Sequence, residues 1–179
     1  FEIDEIVVDL SRLMRYTMGN KEKIVKIEDE CRYIESYLNL YEKRYSNKFS
    51  YDICLDEKLK NYPVLKFIMQ PIVENCIKHG FKGLKRTGYI HIQIYVENQK
   101  LYFLTEDNGM GIPREKLEQL TEYMKDMADR ELDCIGLKNT FQRLKLTYGD
   151  EAGIDICSVE NEGTKVYCYI PFSQEEYNV

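Results

Sequence analysis

The sequence has few of the residues that build metal centres and catalytic triads. It contains only 2 histidines, His79 and His91, among 179 residues. Its 6 cysteines form no CxxC pair and no cluster with histidine at the spacing of a zinc site. Two histidines leave little room for a metal site built on histidine or for a histidine-based triad. The cysteine spacing favours reduced cysteines in a reducing compartment.

The sequence also has no long apolar run and no excess of positive charge. No run approaches the roughly 20 residues that cross a bilayer, and no charged-then-apolar leader opens the chain. The formal net charge of -6 argues against a surface that follows nucleic acid or anionic lipid. A hydrophobic content of 44% still suffices for a sizeable core. We expect a folded globular domain that binds phosphate only locally and has no nucleic-acid partner.

Apolar residues recur at helical spacing from Phe1 to about Tyr45. Two runs of this spacing, separated by "MGNKE", predict two helices. The apolar positions are Ile6, Leu10, Leu13 and Met14, then Ile27, Cys31, Ile34, Leu38 and Tyr41. We expect these stripes to pack in the core, the alternative being a dedicated partner surface.

Alternating apolar residues predict strands in the rest of the chain. "FSYDICLD" reads as one strand, "YIHIQIYVE" and "LYFLTED" as a hairpin that turns at Asn98 and Gln99, and "GIDICSVE" and "GTKVYCYIPF" as a second hairpin. His91 falls on the face opposite Ile90, where we expect a solvent-facing side chain with no ligand role. The pattern predicts an α/β two-layer sandwich, in which helices cover one face of a mixed, mostly antiparallel sheet.

One predicted helix carries an unusual polar strip. It begins close to Pro63 and closes at Gly80. Placed at helical spacing, its apolar residues occupy one half and its polar residues the other. The polar residues are Glu74, Asn75, Lys78 and His79. A solvated face explains this strip as well as a functional one does.

Three further motifs follow in order along the chain. "EDNGMGI" places Asp107 at a strand end before Gly109 and Gly111, where a carboxylate can accept a hydrogen bond from an exocyclic amine such as that of adenine. "IGLKN" opens a helix, whose N-terminus offers free amide groups to a phosphate. "NEGTKV" adds the Thr164 hydroxyl before the last strand. Each motif alone is also compatible with a simple turn or helix start.

Together the four motifs resemble the nucleotide-binding boxes of the Bergerat-type ATPases, the superfamily of gyrase, heat-shock chaperone, histidine kinase and MutL. "LSRLMRY", "YLNLYEKR", "QPIVENCIKHG" and "IGLKNTFQRLKLTYGD" resemble more narrowly the YesM/LytS-type sensor histidine kinases. This resemblance covers nearly the whole chain. It implies a Bergerat fold that binds ATP and Mg²⁺ and that transfers the γ-phosphoryl group to a histidine and then to an aspartate of a response regulator.

The resemblance also implies residue roles around the phosphates. Asn75 would bind Mg²⁺ through its amide oxygen. Lys78 and His79 would meet phosphate or ribose, and Glu74 would polarise the reacting group or a metal-bound water. The helix start would lie along the triphosphate, with Gly136, Leu137 and Lys138.

The roles implied for the base are carried by the other two motifs. Asp107 would accept from the adenine amine, and Thr164 would close the base pocket. The pocket itself would be shaped by Gly109, Gly111 and Ile112. The stretch between Pro113 and Ile135 would act as a lid.

The resemblance divides the chain into residues 1–46, the tail of the dimerisation helices, and residues 47–179, the ATP-binding catalytic domain. Because the phosphoacceptor histidine of the family precedes Phe1, we expect a fragment of a longer, homodimeric kinase. That kinase would be a cell-membrane protein with this domain in the cytoplasm, and it would meet the membrane only through upstream segments.

Two alternatives to the kinase stay open. The family usually has Gly where this chain has Cys134, and this difference is compatible with a nucleotide-sensing scaffold that transfers no phosphate. An ATP-hydrolysing machine of the repair or chaperone type needs a general base one turn before the metal-binding Asn. Pro71 occupies that place and cannot act as a base, which disfavours hydrolysis as the main reaction.

Overall fold

The computed structural model of the chain describes residues 2–19, 23–44, 48–125 and 135–173. Two helices come first, as the sequence predicts. They are α1, Glu2–Met18, and α2, Ile27–Arg44. A short strand, β1, Ile24–Lys26, lies between them and was not predicted.

Helix α2 packs its apolar stripe into the core, whereas α1 contacts the core through Leu13 and Tyr16. Ile27, Ile34 and Leu38 of α2 are fully buried. On α1 the predicted core stripe is confirmed at Leu13, which packs against the core. It is wrong at Ile6, Leu10 and Met14, which are exposed. Four exposed apolar residues of α1 follow heptad spacing, the pattern of a helix that packs against another helix. They are Ile3, Val7, Leu10 and Met14, while Ile6, Val8 and Met18 are also exposed and fall outside this spacing.

The core sheet has five strands in the order β2-β4-β5-β7-β6. Their bounds are β2, Phe49–Leu55; β4, Gly88–Glu97; β5, Lys100–Asp107; β6, Gly153–Val159; and β7, Gly163–Pro171. Strands β2 and β4 pair in parallel and the other neighbours are antiparallel. The predicted mixed, mostly antiparallel sheet is confirmed.

The two predicted hairpins form around tight turns. Asn98 and Gln99 join β4 to β5 with φ angles of 49° and 60°, the left-handed conformation that matches the twist of antiparallel strands. On β7 the residues predicted to face inward, Val166, Cys168 and Ile170, are buried. Helices cover this face. On the opposite face, called the open face below, the described side chains are exposed or partly exposed apart from the buried Leu104.

The predicted third helix begins later than expected. Residues Pro63–Leu65 form a strand, β3, which pairs antiparallel with β1. The helix itself, α3, spans Gln70–Asn75. The stretch before Gln70, "PVLKFIM", is apolar at every position except Lys66, so spacing alone cannot separate a buried strand from a buried helix.

The last two helices lie between β5 and β6. They are α4, Arg114–Lys125, and α5, Ile135–Tyr148. In α5, Leu137 and Leu144 are buried as predicted and Phe141 packs against the core, but Leu146 is 87% exposed. None of the helices among the described residues is long and apolar enough to cross a bilayer.

Candidate functional site

Helix α3 presents its polar strip on an apolar foundation. Pro71 occupies its first turn, where a missing N–H costs no hydrogen bond. After Asn75 the helix widens into one π-type turn, Cys76–Gly80, in which Phe81 N donates to Cys76 O over 3.0 Å. The apolar residues predicted for the packing half are all buried, namely Ile68, Met69, Ile72, Val73, Cys76 and Ile77. Such widened turns occur frequently at functional sites.

The four polar residues of the strip lie together at the surface of α3. Lys78 Nζ stands 2.5 Å from Glu74 Oε2, and the other carboxylate oxygen of Glu74 accepts from Gln70 Nε2 over 2.8 Å. This hydrogen bond from Lys78 to Glu74 raises the pKa of the Lys78 ammonium. Asn75 is half-buried, and within the described residues its side-chain amide has no hydrogen-bond partner. His79 is exposed. The strip therefore offers an oriented carboxylate, an ammonium, an imidazole and an available amide oxygen.

Asp107 is the buried carboxylate at the end of β5. It is only 6% exposed, and its Oδ1 accepts from Gly109 N over 2.8 Å. Burial raises the pKa of Asp107, although hydrogen bonds from Gly109, the Cys76 thiol and Thr164 oppose the shift. A carboxylate held this way keeps acceptor capacity for a ligand in a site of low dielectric constant.

The end of α3 contacts the loop that follows Asp107. A Cβ on Gly80 would lie 3.1 Å from Asp107 Oδ1, and Met110 N donates to Gly80 O over 2.8 Å. A Cβ on Gly109 would come within 2.4 Å of Gly80 O, so only glycine fits there. The structure thus brings the polar helix and the "DNGMG" loop side by side.

The turn before β7 closes against the same loop. Gly111, at φ 65°, lies where a Cβ would meet Val159 O at 2.0 Å, and Gly163, at φ 142°, lies where a Cβ would meet Asp107 O at 1.9 Å. Asn161 N donates to Met110 O over 2.7 Å. The backbones of the two segments are in direct contact, so a side chain at Gly111 or Gly163 would overlap a backbone oxygen and only glycine fits at either position.

Thr164 and Ile112 meet around one serine. Thr164 pairs with Asp107 across β5 and β7. Ser158 Oγ lies 2.9 Å from Thr164 Oγ1 and accepts from Ile112 N over 2.8 Å. The structure therefore places the residues predicted for the base pocket in one region, beside the end of α3.

Arg86 joins the two loops and was missed by the sequence reasoning. Its guanidinium donates to the backbone oxygens of Asn108 over 2.6 Å, of Gly109 over 3.1 Å and of Asn161 over 2.9 Å. It lies in a basic turn, "GLKRTG", with no motif of its own. Because its partners are backbone oxygens distant in sequence, no local signal could identify it.

The start of α5 lies near the start of α3 but offers no free ammonium to the strip. A Cβ on Gly136 would stand 3.5 Å from Pro71 Cβ. Leu137 is buried in the core, and Lys138 is buried with its Nζ 4.3 Å from the centre of the Tyr123 ring. Sequence spacing alone did not anticipate this cation–π contact. The available donors at this helix start are its backbone amides.

The predicted lid is described only in part. Residues Arg114–Lys125 form α4, and Leu120, Tyr123 and Met124 of this helix are buried. Residues 126–134, which include Cys134, lie outside the described residues. The role of this stretch stays a prediction.

Comparisons with known proteins agree with this arrangement. Residues 61–174 match the family of histidine kinase-, DNA gyrase B- and HSP90-like ATPases, and residues 2–49 match a histidine kinase family. The first match covers more than half of the chain.

Among curated proteins, the chain resembles sensor proteins of staphylococci. It is 32% identical to the sensor protein LytS of Staphylococcus saprophyticus over 96% of this chain and 29% of that protein. It is 29% identical to the sensor histidine kinase/phosphatase LytS of Staphylococcus aureus over 96% of this chain and 29% of that protein. The chain thus spans less than a third of the length of these two relatives.

Among solved structures, the fold resembles the histidine kinase domain of the blue-light activated histidine kinase of Erythrobacter litoralis. The TM-score is 0.60 at 19% identity, and the match covers 98% of this chain and 77% of that one. This likeness supports the two-layer fold predicted from the sequence.

Proposed function

The chain belongs to the family of histidine kinase-, DNA gyrase B- and HSP90-like ATPases, and from this premise we propose that residues 47–179 are the ATP-binding catalytic domain of a sensor histidine kinase. The contact that supports this most directly is the one between Gly80 and the Asp107 loop. It joins the polar helix to a buried acceptor, and a purine nucleotide needs both phosphate and base contacts in one cleft. The similarity to sensor histidine kinases along nearly the whole chain supports the same function.

In this proposal Asp107 recognises the base. Its carboxylate accepts from the exocyclic amine of adenine, while Gly109, Gly111 and Ile112 shape the walls of the pocket and Thr164 closes it. Glycine at the two loop positions permits the backbone approach, and Arg86 holds both loops through their carbonyl oxygens. A rigid acceptor discriminates well, because an unmatched ligand leaves a buried carboxylate without its partner.

In the same proposal the polar strip handles the phosphates. The Asn75 amide oxygen suits Mg²⁺, a hard cation that takes oxygen ligands and keeps several waters. When bound, this cation would neutralise phosphate charge. Lys78 and His79 contact phosphate or ribose, and Glu74 orients Lys78 through their ion pair and polarises the reacting group. Transfer of this kind depends mainly on positioning and electrostatics.

The start of α5 contributes through its backbone. We propose that the amides of Gly136, Leu137 and Lys138 lie along the triphosphate, where the positive end of the helix dipole favours an anion. The Lys138 ammonium contacts Tyr123, so the backbone rather than the side chain of Lys138 carries this role.

Residues 1–46 are proposed as the tail of the dimerisation helices of a homodimer. The exposed heptad stripe of α1 supports this proposal, since such a stripe packs stably against helices of a second copy. The phosphoacceptor histidine would lie upstream, the response regulator would receive the phosphoryl group on an aspartate, and the domain would face the cytoplasm in a membrane-anchored protein.

Radiolabel transfer tests the proposal. A longer protein that carries the upstream histidine is incubated with Mg²⁺ and ATP labelled at the γ-phosphate. We expect an acid-labile, alkali-stable label on the protein, and loss of that label in Asn75→Ala. Binding of ATP without any label would instead support the nucleotide-sensing scaffold, and release of free phosphate without protein label would support an ATP-hydrolysing machine.

A further inference from the structure

A second cluster of reactive side chains lies on the open face of the sheet, away from the helix-covered core. Asp52 and Cys54 are two residues apart on the edge strand β2, so both side chains lie on the same face of the sheet. Asp52 pairs in register with His91 of β4. Their neighbours in sequence, such as Ile90 and Ile92, are buried on the opposite face. Three different side chains of adjacent parallel strands are therefore brought together, although Cys54 and His91 are 37 positions apart in the sequence.

The three side chains are close enough to bind one ion. His91 Nδ1 lies 2.8 Å from Asp52 Oδ2, and Cys54 Sγ lies 3.4 Å from the same oxygen. One ligand atom from each residue lies within 4.8 Å of the other two, and among the described residues this is the only such group of three or more. The hydroxyl of Tyr89 donates to Asp52 Oδ1 and fixes the carboxylate from one side.

The kinds of donor atom select the ion. A thiolate, an imidazole nitrogen and one carboxylate oxygen are the three ligand types that zinc uses, at about 2.0–2.3 Å in a tetrahedral arrangement. Mg²⁺ and Ca²⁺ prefer several oxygen ligands and do not suit a site with one carboxylate and a thiol. The observed separations need only small side-chain rotations to become the edges of a tetrahedron, whose ligand atoms stand roughly 3.5 Å apart.

We propose that Asp52, Cys54 and His91 bind a zinc ion, with water as the fourth ligand. On binding, the Cys54 thiol releases its proton to solvent, and the bond from sulfur to zinc replaces the S–H bond. The ion bridges the edge strand β2 to β4. Strand β2 directly follows α2 in sequence. A bound ion would therefore link the strand that follows the helical segment to its neighbour in the sheet.

Neighbouring groups leave the proposed site accessible. Glu106 lies next to His91 on β5 but is paired with Lys165, whose Nζ stands 3.0 Å from Glu106 Oε1. Cys54 is exposed. The site lies on the face opposite Asp107 and uses none of the residues proposed to bind ATP, so its failure and that of the proposed function are separate outcomes.

Cobalt substitution tests the site. The untagged, reduced chain is titrated with Co²⁺, and absorption is followed in the near-ultraviolet, where a cobalt–thiolate bond gives a charge-transfer band. We expect one equivalent of Co²⁺ to produce the band and one equivalent of zinc to remove it by displacement. Cys54→Ser should abolish the band, and His91→Gln should weaken zinc binding by at least about tenfold.

Cys157→Ser is the matched control, because Cys157 is also exposed and lies on the same open face of β6, opposite Lys165. It should leave the band unchanged. Circular dichroism verifies that each variant is folded, and Mg·ATP affinity should be the same in all of them. Absence of the band in the parent chain, its persistence in Cys54→Ser, or an equal loss in Cys157→Ser would overturn the proposal.

Discussion

Gly80, at the end of the widened turn after α3, lies directly against the carboxylate of Asp107, so that a Cβ at Gly80 would stand 3.1 Å from Asp107 Oδ1. This relationship links two motifs that are 27 residues apart. The proposed phosphate-binding strip and the proposed base acceptor are parts of one surface because of it.

Asn75→Ala should abolish Mg²⁺-dependent ATP binding and leave the fold intact. Asn75 is half-buried, and its side-chain amide has no hydrogen-bond partner among the described residues. Its removal should therefore change the free energy of unfolding by no more than about 0.5 kcal/mol. Calorimetric titration with ATP, with and without Mg²⁺, measures the effect. Asn61→Ala, an exposed amide outside the strip, is the control. Retained Mg·ATP affinity in Asn75→Ala would show that the metal assignment is wrong.

Asp107→Asn should lower the affinity for ATP by at least about tenfold, equivalent to about 1.4 kcal/mol of binding free energy. The affinity for inorganic triphosphate should stay unchanged. The substitution replaces a carboxylate acceptor by an amide that also presents a donor to the adenine amine. Competition titrations with both ligands measure the two affinities. Asp155→Asn, on the exposed face of β6, should change neither. Equal losses for ATP and triphosphate would exclude an adenine contact.

ATP affinity should fall on acidification because burial raises the pKa of Asp107. The ionised carboxylate is the better acceptor, so affinity declines as the pH falls through a pKa above the ordinary value of about 3.9. The stability of the free protein depends on pH in the opposite direction to the ATP affinity. The contribution of Asp107 to stability is present below the ordinary pKa and is lost as the pH rises through the raised one. Titrations across this pH range should show the acid loss in the parent and a flatter profile in Asp107→Asn; identical profiles would contradict the assignment.

Arg86→Ala should loosen both loops of the base pocket. Hydrogen bonds from a charged group to backbone oxygens stabilise by about 1.5–3 kcal/mol, so we expect a lower free energy of unfolding and weaker ATP binding. Denaturant unfolding and ATP titration measure the two effects. Lys85→Ala changes the neighbouring exposed cation and should have little effect. If both variants behave alike, the clamp formed by Arg86 does not support the pocket.

The sequence predicted the elements whose signals are local. The hairpin at Asn98 and Gln99 follows from alternation and a short polar turn, and the packing half of α3 follows from helical spacing. The β1–β3 pair was not predictable in this way, since three-residue strands carry too few positions to show a period. The sequence suggests a helix start at Pro63 because proline is favoured in the first turn of a helix. Proline is also tolerated as the first residue of a strand, which is its position in β3.

Within the candidate site, motifs predicted residue types and positions better than side-chain surroundings. Asp107 and its glycines lie together because those motifs encode backbone geometry. The burial of Lys138 against Tyr123 depends on how α4 packs, and the role of Arg86 depends on carbonyl oxygens of two distant loops. Neither is visible in a local pattern. Likewise, His91 was assigned to solvent, and its proximity to Asp52 and Cys54 arises only from the strand order.

The central claim is that one cleft of this chain binds a purine triphosphate through Asp107 and the α3 strip. Calorimetric titration of the parent chain with ATP in Mg²⁺, repeated after chelation of the metal, tests it most directly. We expect saturable binding of one nucleotide per chain that weakens when Mg²⁺ is removed. No detectable Mg·ATP binding at millimolar nucleotide would contradict the account.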